Sequence, residues 1–254
     1  VDQGSVYLFS RNQGGAETWG QVAKLTAADA AAGDQFGYSV DLNIDHVIVG
    51  APFADGSAGA DQGSAYLFAR NQGGADAWGQ AAKFTPANPG AGDGFGYGAS
   101  VFGGTAVIGA PYRDGSAGLN QGAAYVFRFR QGLLDSWEQL AELSGSLVSG
   151  GDEFGAVVSI SQEITVVGAP KDSGPLAQYQ GAAYIVESNQ GGMDAWGETQ
   201  RLTGSTSTGS DWFGYSVDAS GRALVIGAYL HDGAAGIDQG KAFVFTAPVL
   251  GWGE

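Results

Sequence analysis

At 254 residues the chain has room for one large all-β domain or two ordinary ones, and it is long enough to bury a sizeable core. Its 45 glycines, well over twice the usual share of about 7%, come with only 7 prolines and no Gly-X-Y period; that excludes collagen and points to many tight turns between short strands. The absence of cysteine rules out disulfides, thiol catalysis and thiolate metal sites. With 11 scattered basic residues against 26 acidic ones, the formal net charge of −15 leaves no footprint for nucleic acid.

In chain order, "QGSVYLF" (3–9) and "WGQVAKL" (19–25) read as two short strands across a turn cluster. Next comes "FGYSVDLN" (36–43), where Phe36, Tyr38, Val40 and Leu42 alternate with small or polar residues. "HVIVGAP" (46–52) is a continuous β-branched run, suited to a strand buried on both faces. "GSAYLFAR" (63–70) and "WGQAAKFT" (78–85) follow, separated by turn clusters such as "DGSAGADQG" and "NQGGADA". The whole set then recurs. Phe36-Gly37, Phe95-Gly96, Phe154-Gly155 and Phe213-Gly214 stand 59 positions apart, as do Trp19, Trp78, Trp137 and Trp196. Gly50-Ala51-Pro52 keeps the same step to Gly109-Ala110-Pro111 and Gly168-Ala169-Pro170, then loosens to Gly227-Ala228-Tyr229. No helical period is sustained, and no apolar run approaches the roughly 20 residues of a membrane helix. Four strands per unit, here labelled a to d, predict an all-β fold: a β-propeller of four-stranded antiparallel blades built from 59-residue repeats.

The recurring pairs have packing roles. Phe-Gly places a ring between sheets while its glycine admits a neighbouring backbone. Gly-Ala-Pro closes a buried strand with small residues and a proline that cannot continue the ladder. The Trp residues open the outer strands and are expected to pack between blades.

"FGYSV…VIVGAP…DQGSAYLF" resembles the FG-GAP repeat of integrin α-subunit propellers, and "GSAYLFARNQGGADAWGQAAKFT…GDGFGYGAS" resembles its bacterial type more closely still. The likeness covers essentially the whole chain. It divides one propeller domain, 1–254, into a leading half repeat (1–35), full repeats at 36–94, 95–153 and 154–212, and a last repeat with a shortened tail (213–254). It implies adhesion, surface or binding roles.

The strand count leaves one strand over. The chain opens at c and d and ends at a, b and c, about four blades plus a leading half-blade, whereas integrin-type propellers have seven blades. Three arrangements fit: a four-bladed ring in which the leading d strand completes the last blade, a piece of a longer propeller, or a half-blade pairing with another copy.

The resemblance also implies calcium, held in integrins on a DxDxDG-type loop between a and b. Residues 41–46, "DLNIDH", and their equivalents carry no such pattern. A different acidic loop recurs between b and c: Asp55 with Asp61, Asp114 with Asn120, and Asp232 with Asp238. Oxygen ligands on a glycine-rich loop suit Ca2+, the one cofactor to consider, and the competing reading is Asx turns that bind their own backbone. The third unit places Ser173 and Tyr179 in these slots, with Asp172 adjacent. Asp34, Asp93, Asp152 and Asp211, just before each aromatic-glycine pair, read as turn residues.

Nothing reads as catalytic. His46 and His231 occupy slots filled elsewhere by Thr105, Ile164 and Ala223, and by Ala54, Arg113 and Asp172, which predicts surface positions. No G-x-S-x-G or H-E-x-x-H motif accompanies them. Candidate ligand-binding residues are Tyr112, Arg113, Tyr179, Trp212 and His231, on the segments that vary between blades; Trp212 stands where other units have Gln35, Gly94 and Glu153. The expectation is a non-enzymatic secreted or cell-surface binding or scaffolding protein, working through adhesion or extracellular assembly. Its partners would be proteins or copies of itself. The alternatives are a carbohydrate-binding propeller and an accessory domain of a larger secreted enzyme.

Overall fold

The computed structural model describes residues 2–132, 136–162, 164–174, 178–190, 192–207, 209–234 and 236–246. Every regular element among them is a strand. β1 (Val6–Arg11) and β2 (Trp19–Leu25) form a two-stranded ribbon. The first full blade is β3 (Val40–Asn43), β4 (His46–Ala51), β5 (Ser64–Arg70) and β6 (Trp78–Phe84), in that spatial order. The second is β7 (Ala99–Phe102), β8 (Thr105–Ala110), β9 (Ala123–Arg130) and β10 (Ser136–Leu143). The third is β11 (Val157–Ser161), β12 (Ile164–Ala169), β13 (Ala182–Glu187) and β14 (Gly197–Leu202). The last has three strands, β15 (Phe213–Ser220), β16 (Ala223–Ala228) and β17 (Lys241–Thr246). All ladders are antiparallel, and each c–d pair carries a bulge at the same place, as between Leu67 and Phe68.

In the first three blades the inner strand starts later than the alternation suggests. Phe36 lies outside β3 because Gly37 turns the chain at φ +99° and Phe36 pairs in parallel with Gly4, at the entry to the ribbon's c strand. Gly63 with Phe95, Gly122 with Phe154 and Gly181 with Phe213 repeat this bridge at every junction. A Cβ on Gly63 would collide with the Phe95 carbonyl oxygen, so the glycine is there for close approach.

The core is divided among the junctions. Each blade turns one b-strand and one c-strand residue toward the next blade, which answers with its buried Phe-Gly ring and two residues of its own c strand. Ile48 and Leu67 meet Phe95, Tyr125 and Phe127; Val107 and Val126 meet Phe154, Tyr184 and Val186. Val166 and Ile185 meet Phe213, Phe243 and Phe245, and the ribbon's Leu8 meets Phe36, Tyr66 and Phe68. The phenylalanines sit edge-to-face on the c-strand rings 5.2 to 5.6 Å away, a favourable aromatic geometry. Trp78, Trp137 and Trp196 pack against these clusters as expected, while Trp19, on the ribbon, is exposed.

The leading d strand does not complete the last blade. β1 sits on β2 with Val6 opposite Leu25, the register that places Ala65 opposite Phe84 in the first blade. It occupies the β2 edge that β17 would need, and among the described residues β17 has no fourth strand. The tail from residue 247 lies outside the described residues.

Candidate functional site

The inner strands β3, β7, β11 and β15 line a common channel with a cavity of about 280 Å3. A hydrogen-bond ladder joins them. Asp41 accepts from the Ser100 hydroxyl at 2.7 Å and the Val101 N–H at 2.8 Å. Ser100 Oγ accepts from the Ile160 N–H and Ser159 Oγ from the Ala219 N–H, both at 3.1 Å. The channel wall is thereby held rigid.

At the face where the inner strands begin and the b–c loops emerge, aromatic side chains collect around the channel mouth. Tyr38 and Tyr97 lie 4.5 Å apart between ring centroids, Tyr97 and Tyr112 5.6 Å, and Tyr38 and Phe53 6.1 Å. On the last blade Tyr215 lies 4.4 Å from Tyr229, and Trp212 packs on both at 6.1 and 5.8 Å. Tyr38, Tyr215 and Tyr229 are about half exposed. Burial, and then the Tyr97 hydroxyl, push the Tyr38 and Tyr112 phenols above their ordinary value, so both stay neutral donors at physiological pH. The third blade breaks the rim with Ala156; there Lys171 lies 5.5 Å over the Trp212 ring and 2.7 Å from Glu153. Trp212 and Tyr112, candidates from sequence, belong to this rim. Tyr38, Tyr97 and Tyr215 are rim residues that strand alternation alone does not mark as a site; their signal is a tyrosine directly after the aromatic-glycine pair in three of four repeats.

Other candidates are engaged in structure. The position shared by Ala54, Arg113, Asp172 and His231 meets the c-strand ring in the last two blades, Asp172 at Tyr184 and His231 at Phe243. Asp172 binds Arg201 at 2.6 Å and accepts the Tyr184 hydroxyl at 2.5 Å. In the second blade the charges are exchanged: Arg113 Nε lies 3.6 Å from Glu142 and 3.8 Å from Asp93. His231 is 7% exposed, with Nε2 3.0 Å from the Thr206 hydroxyl and its ring against Phe243. The predicted surface position of His231 is therefore wrong. In the second and third blades unlike side chains are accommodated at this slot because a residue on the d strand changes with it, Glu142 beside Arg113 and Arg201 beside Asp172. His46 is half-buried at the start of β4.

In the b–c loops the first acid binds its own backbone. Asp55, Asp114 and Asp232 accept the backbone N–H of Asp61, Asn120 and Asp238 at 3.1, 2.9 and 2.9 Å. Asp61, Asn120 and Asp238 hold φ of 51° to 53°, a left-handed conformation that Asp and Asn tolerate best. Tyr179 adopts φ 55° in the third blade and is 44% exposed. Among the described residues no group of three or more His, Asp or Glu side chains converges as a metal site.

The acids before the aromatic-glycine pairs are buried turn residues. Asp34, Asp93 and Asp152 accept the N–H three residues earlier at 2.7, 2.7 and 2.6 Å, and Asp211 is buried in the same slot. Burial pushes the Asp152 carboxyl above its ordinary value, outweighing the Ser149 N–H and the Arg201 charge. A carboxyl raised in the folded state adds stability below its unfolded value of about 3.9, and that contribution is lost as pH rises through the folded value. Asp152→Asn, which keeps an acceptor oxygen, should therefore melt higher than wild type at pH 7, with the difference gone below about pH 4. Thermal melts across that range check this, and a lower melt at pH 7 would contradict it.

Blades of antiparallel strands around a shared channel define a β-propeller. The chain belongs to the FG-GAP repeat family, whose model matches residues 19–68, 78–127, 137–186 and 196–245. Each match runs from an outer d strand through the next blade's a, b and c, so β1 alone stands ahead of four complete units. No curated protein matches the chain at significance. Among the described residues no helix is long and apolar enough to cross a membrane.

Proposed function

We propose that this propeller is a non-enzymatic binding and scaffolding protein of the cell surface or extracellular space, and that it engages a protein partner through the aromatic rim at the channel mouth. The observation that carries this reading is the rim itself: half-exposed tyrosines and Trp212 gathered at the ends of strands whose inner members are stitched together by hydrogen bonds. Rigid aromatic side chains with a polar tip bind with little loss of conformational entropy and are enriched at interface hot spots. The ionisable groups beneath this face, Asp172, Arg201 and Arg113, are committed to one another or to Glu142 and Asp93, so they support structure rather than proton transfer.

A second reading is glycan binding, favoured by the Trp212, Tyr215 and Tyr229 cluster as a stacking platform. Immobilised chain can be tested against a panel of purified extracellular proteins and a glycan array, beside Tyr38→Ala, Tyr215→Ala and Trp212→Ala. The protein reading expects retention of at least one protein, weakened about tenfold or more by each variant, as loss of a hot spot does, with the melting temperature little changed. Glycan retention with the same sensitivity would favour the second reading. Retention indifferent to all three variants, or none, would overturn the rim as the site.

A further inference from the structure

The rim tyrosines stand in close pairs whose own chemistry the binding reading does not use. Tyr38, just before β3, and Tyr97, just before β7, have ring centroids 4.5 Å apart and planes inclined at 50°. Tyr215 in β15 and Tyr229, just after β16, repeat this geometry at 4.4 Å and 50°. Tyr38, Tyr215 and Tyr229 are 44% to 51% exposed, so an oxidant in solvent reaches at least one ring of each pair. Trp212 lies 6.1 and 5.8 Å from the second pair, where an oxidised indole can draw an electron from either phenol. The other tyrosines are placed differently. Tyr66, Tyr125 and Tyr184 are buried, and each meets a phenylalanine edge-to-face. Tyr112 meets Tyr97 edge-on, at 5.6 Å and 79°.

We propose that the rim is a site of oxidative modification, at which Tyr38 couples to Tyr97 and Tyr215 to Tyr229 as dityrosine. Each phenol gives one electron and one proton to a one-electron oxidant, a peroxidase working with hydrogen peroxide. The two phenoxyl radicals join through the ring carbons next to their oxygens. The hydrogen on each joined carbon then moves to the oxygen, which restores both hydroxyls. One hydrogen peroxide takes up the two electrons and two protons and leaves as two waters. In each pair the centroid separation is already close to that of two joined rings, so the partners need only turn about their side-chain torsions. Proximity thus replaces a bimolecular encounter, and a radical is captured by its neighbour before it meets another chain. With no cysteine in the chain, no thiol competes for the radical. The bond between Tyr38 and Tyr97 would tie the first full blade to the second at the channel mouth. This modification goes beyond the binding reading, since it needs no partner on the rim.

The test treats dilute chain with a haem peroxidase and hydrogen peroxide, beside N-acetyltyrosine as proof that the oxidant couples phenols. The variants are Tyr97→Phe, Tyr229→Phe and the two together. Each keeps its ring and should fold, which a melt checks first. Wild-type monomer should gain dityrosine fluorescence. After proteolysis it should yield one peptide joining Tyr38 to Tyr97 and one joining Tyr215 to Tyr229, each two hydrogens lighter than its parts. Each single variant should lose its own linked peptide and keep the other. The double variant should form about tenfold less monomer dityrosine or lower still, since its remaining phenols have no phenol in such close contact. The proposal is overturned if wild-type monomer forms no dityrosine while N-acetyltyrosine couples, or if the double variant forms as much as wild type. Links found only between chains, through the exposed Tyr7 or Tyr179, would overturn it as well. The readout is covalent, so its failure leaves rim binding untouched, and a rim that binds nothing leaves the coupling standing.

Discussion

Gly109→Ala is expected to destabilise the propeller by about 4 kcal/mol, well above the usual effect of one added methyl group. The reason lies between blades. A Cβ on Gly109 would stand on the carbonyl oxygen of Gly155 in the next blade, with the carbonyl carbon 2.8 Å away. Gly50 against Gly96 and Gly168 against Gly214 repeat the arrangement. A flexible side chain could move aside, but a strand backbone held on both sides cannot. Gly227 is the internal control. It holds the same position in the last blade, where no backbone of another blade among the described residues lies against it, and its Cβ would meet only Ser216, chiefly the hydroxyl. Gly227→Ala should therefore lose about 1 kcal/mol or less, within the range of ordinary small substitutions. Urea unfolding of the two variants side by side measures the difference, and equal losses would contradict the inter-blade explanation.

Asp172→Ala should lose about 3–5 kcal/mol, because it leaves the Arg201 guanidinium buried without its carboxylate and the Tyr184 hydroxyl without its acceptor. Asp172 is 1% exposed, so the two groups it binds are left in a buried cavity and not in bulk water. The second blade shows a way back. There the same two positions are Arg113 and Glu142, the pair with its charges exchanged. Asp172→Arg combined with Arg201→Glu should thus recover most of the stability that either change removes alone. Denaturant melts of the two single variants and the double give the coupling directly. Simple addition of the two losses would show that the residues do not act as a pair.

These two cases also mark how far the sequence could be read. The 59-residue step placed every strand within a few residues, and the glycine of Phe-Gly predicted the close backbone approach that Gly96 makes to the Ser64 carbonyl. A repeat exposes its packing because each junction asks the same question of the same position. The slot of Ala54, Arg113, Asp172 and His231 misled for the opposite reason. Variation there resembled a surface, yet Ala54, Asp172 and His231 are buried, and Arg113 and Asp172 are balanced by partners 29 residues later, visible only once the c and d strands lie side by side. In sequence the b–c loop acids fit a turn and a calcium loop alike, because left-handed turn positions and calcium loops favour the same residue types. The aromatic rim needed the fold, since its members come from three blades and meet only at the channel. The fate of the ribbon was also illegible: c strands at both chain ends compete for one edge of β2, and local pattern does not decide between them.

The claim on which this account depends is that β2 belongs to β1 and does not complete the last blade, and amide hydrogen exchange on β1 tests it most directly. About half of the amides of residues 6–11, those turned to β2, should be protected, as one paired edge requires. Fast exchange along the whole of 6–11 would mean that β2 has left β1 for another strand, and this arrangement of the blades would be contradicted.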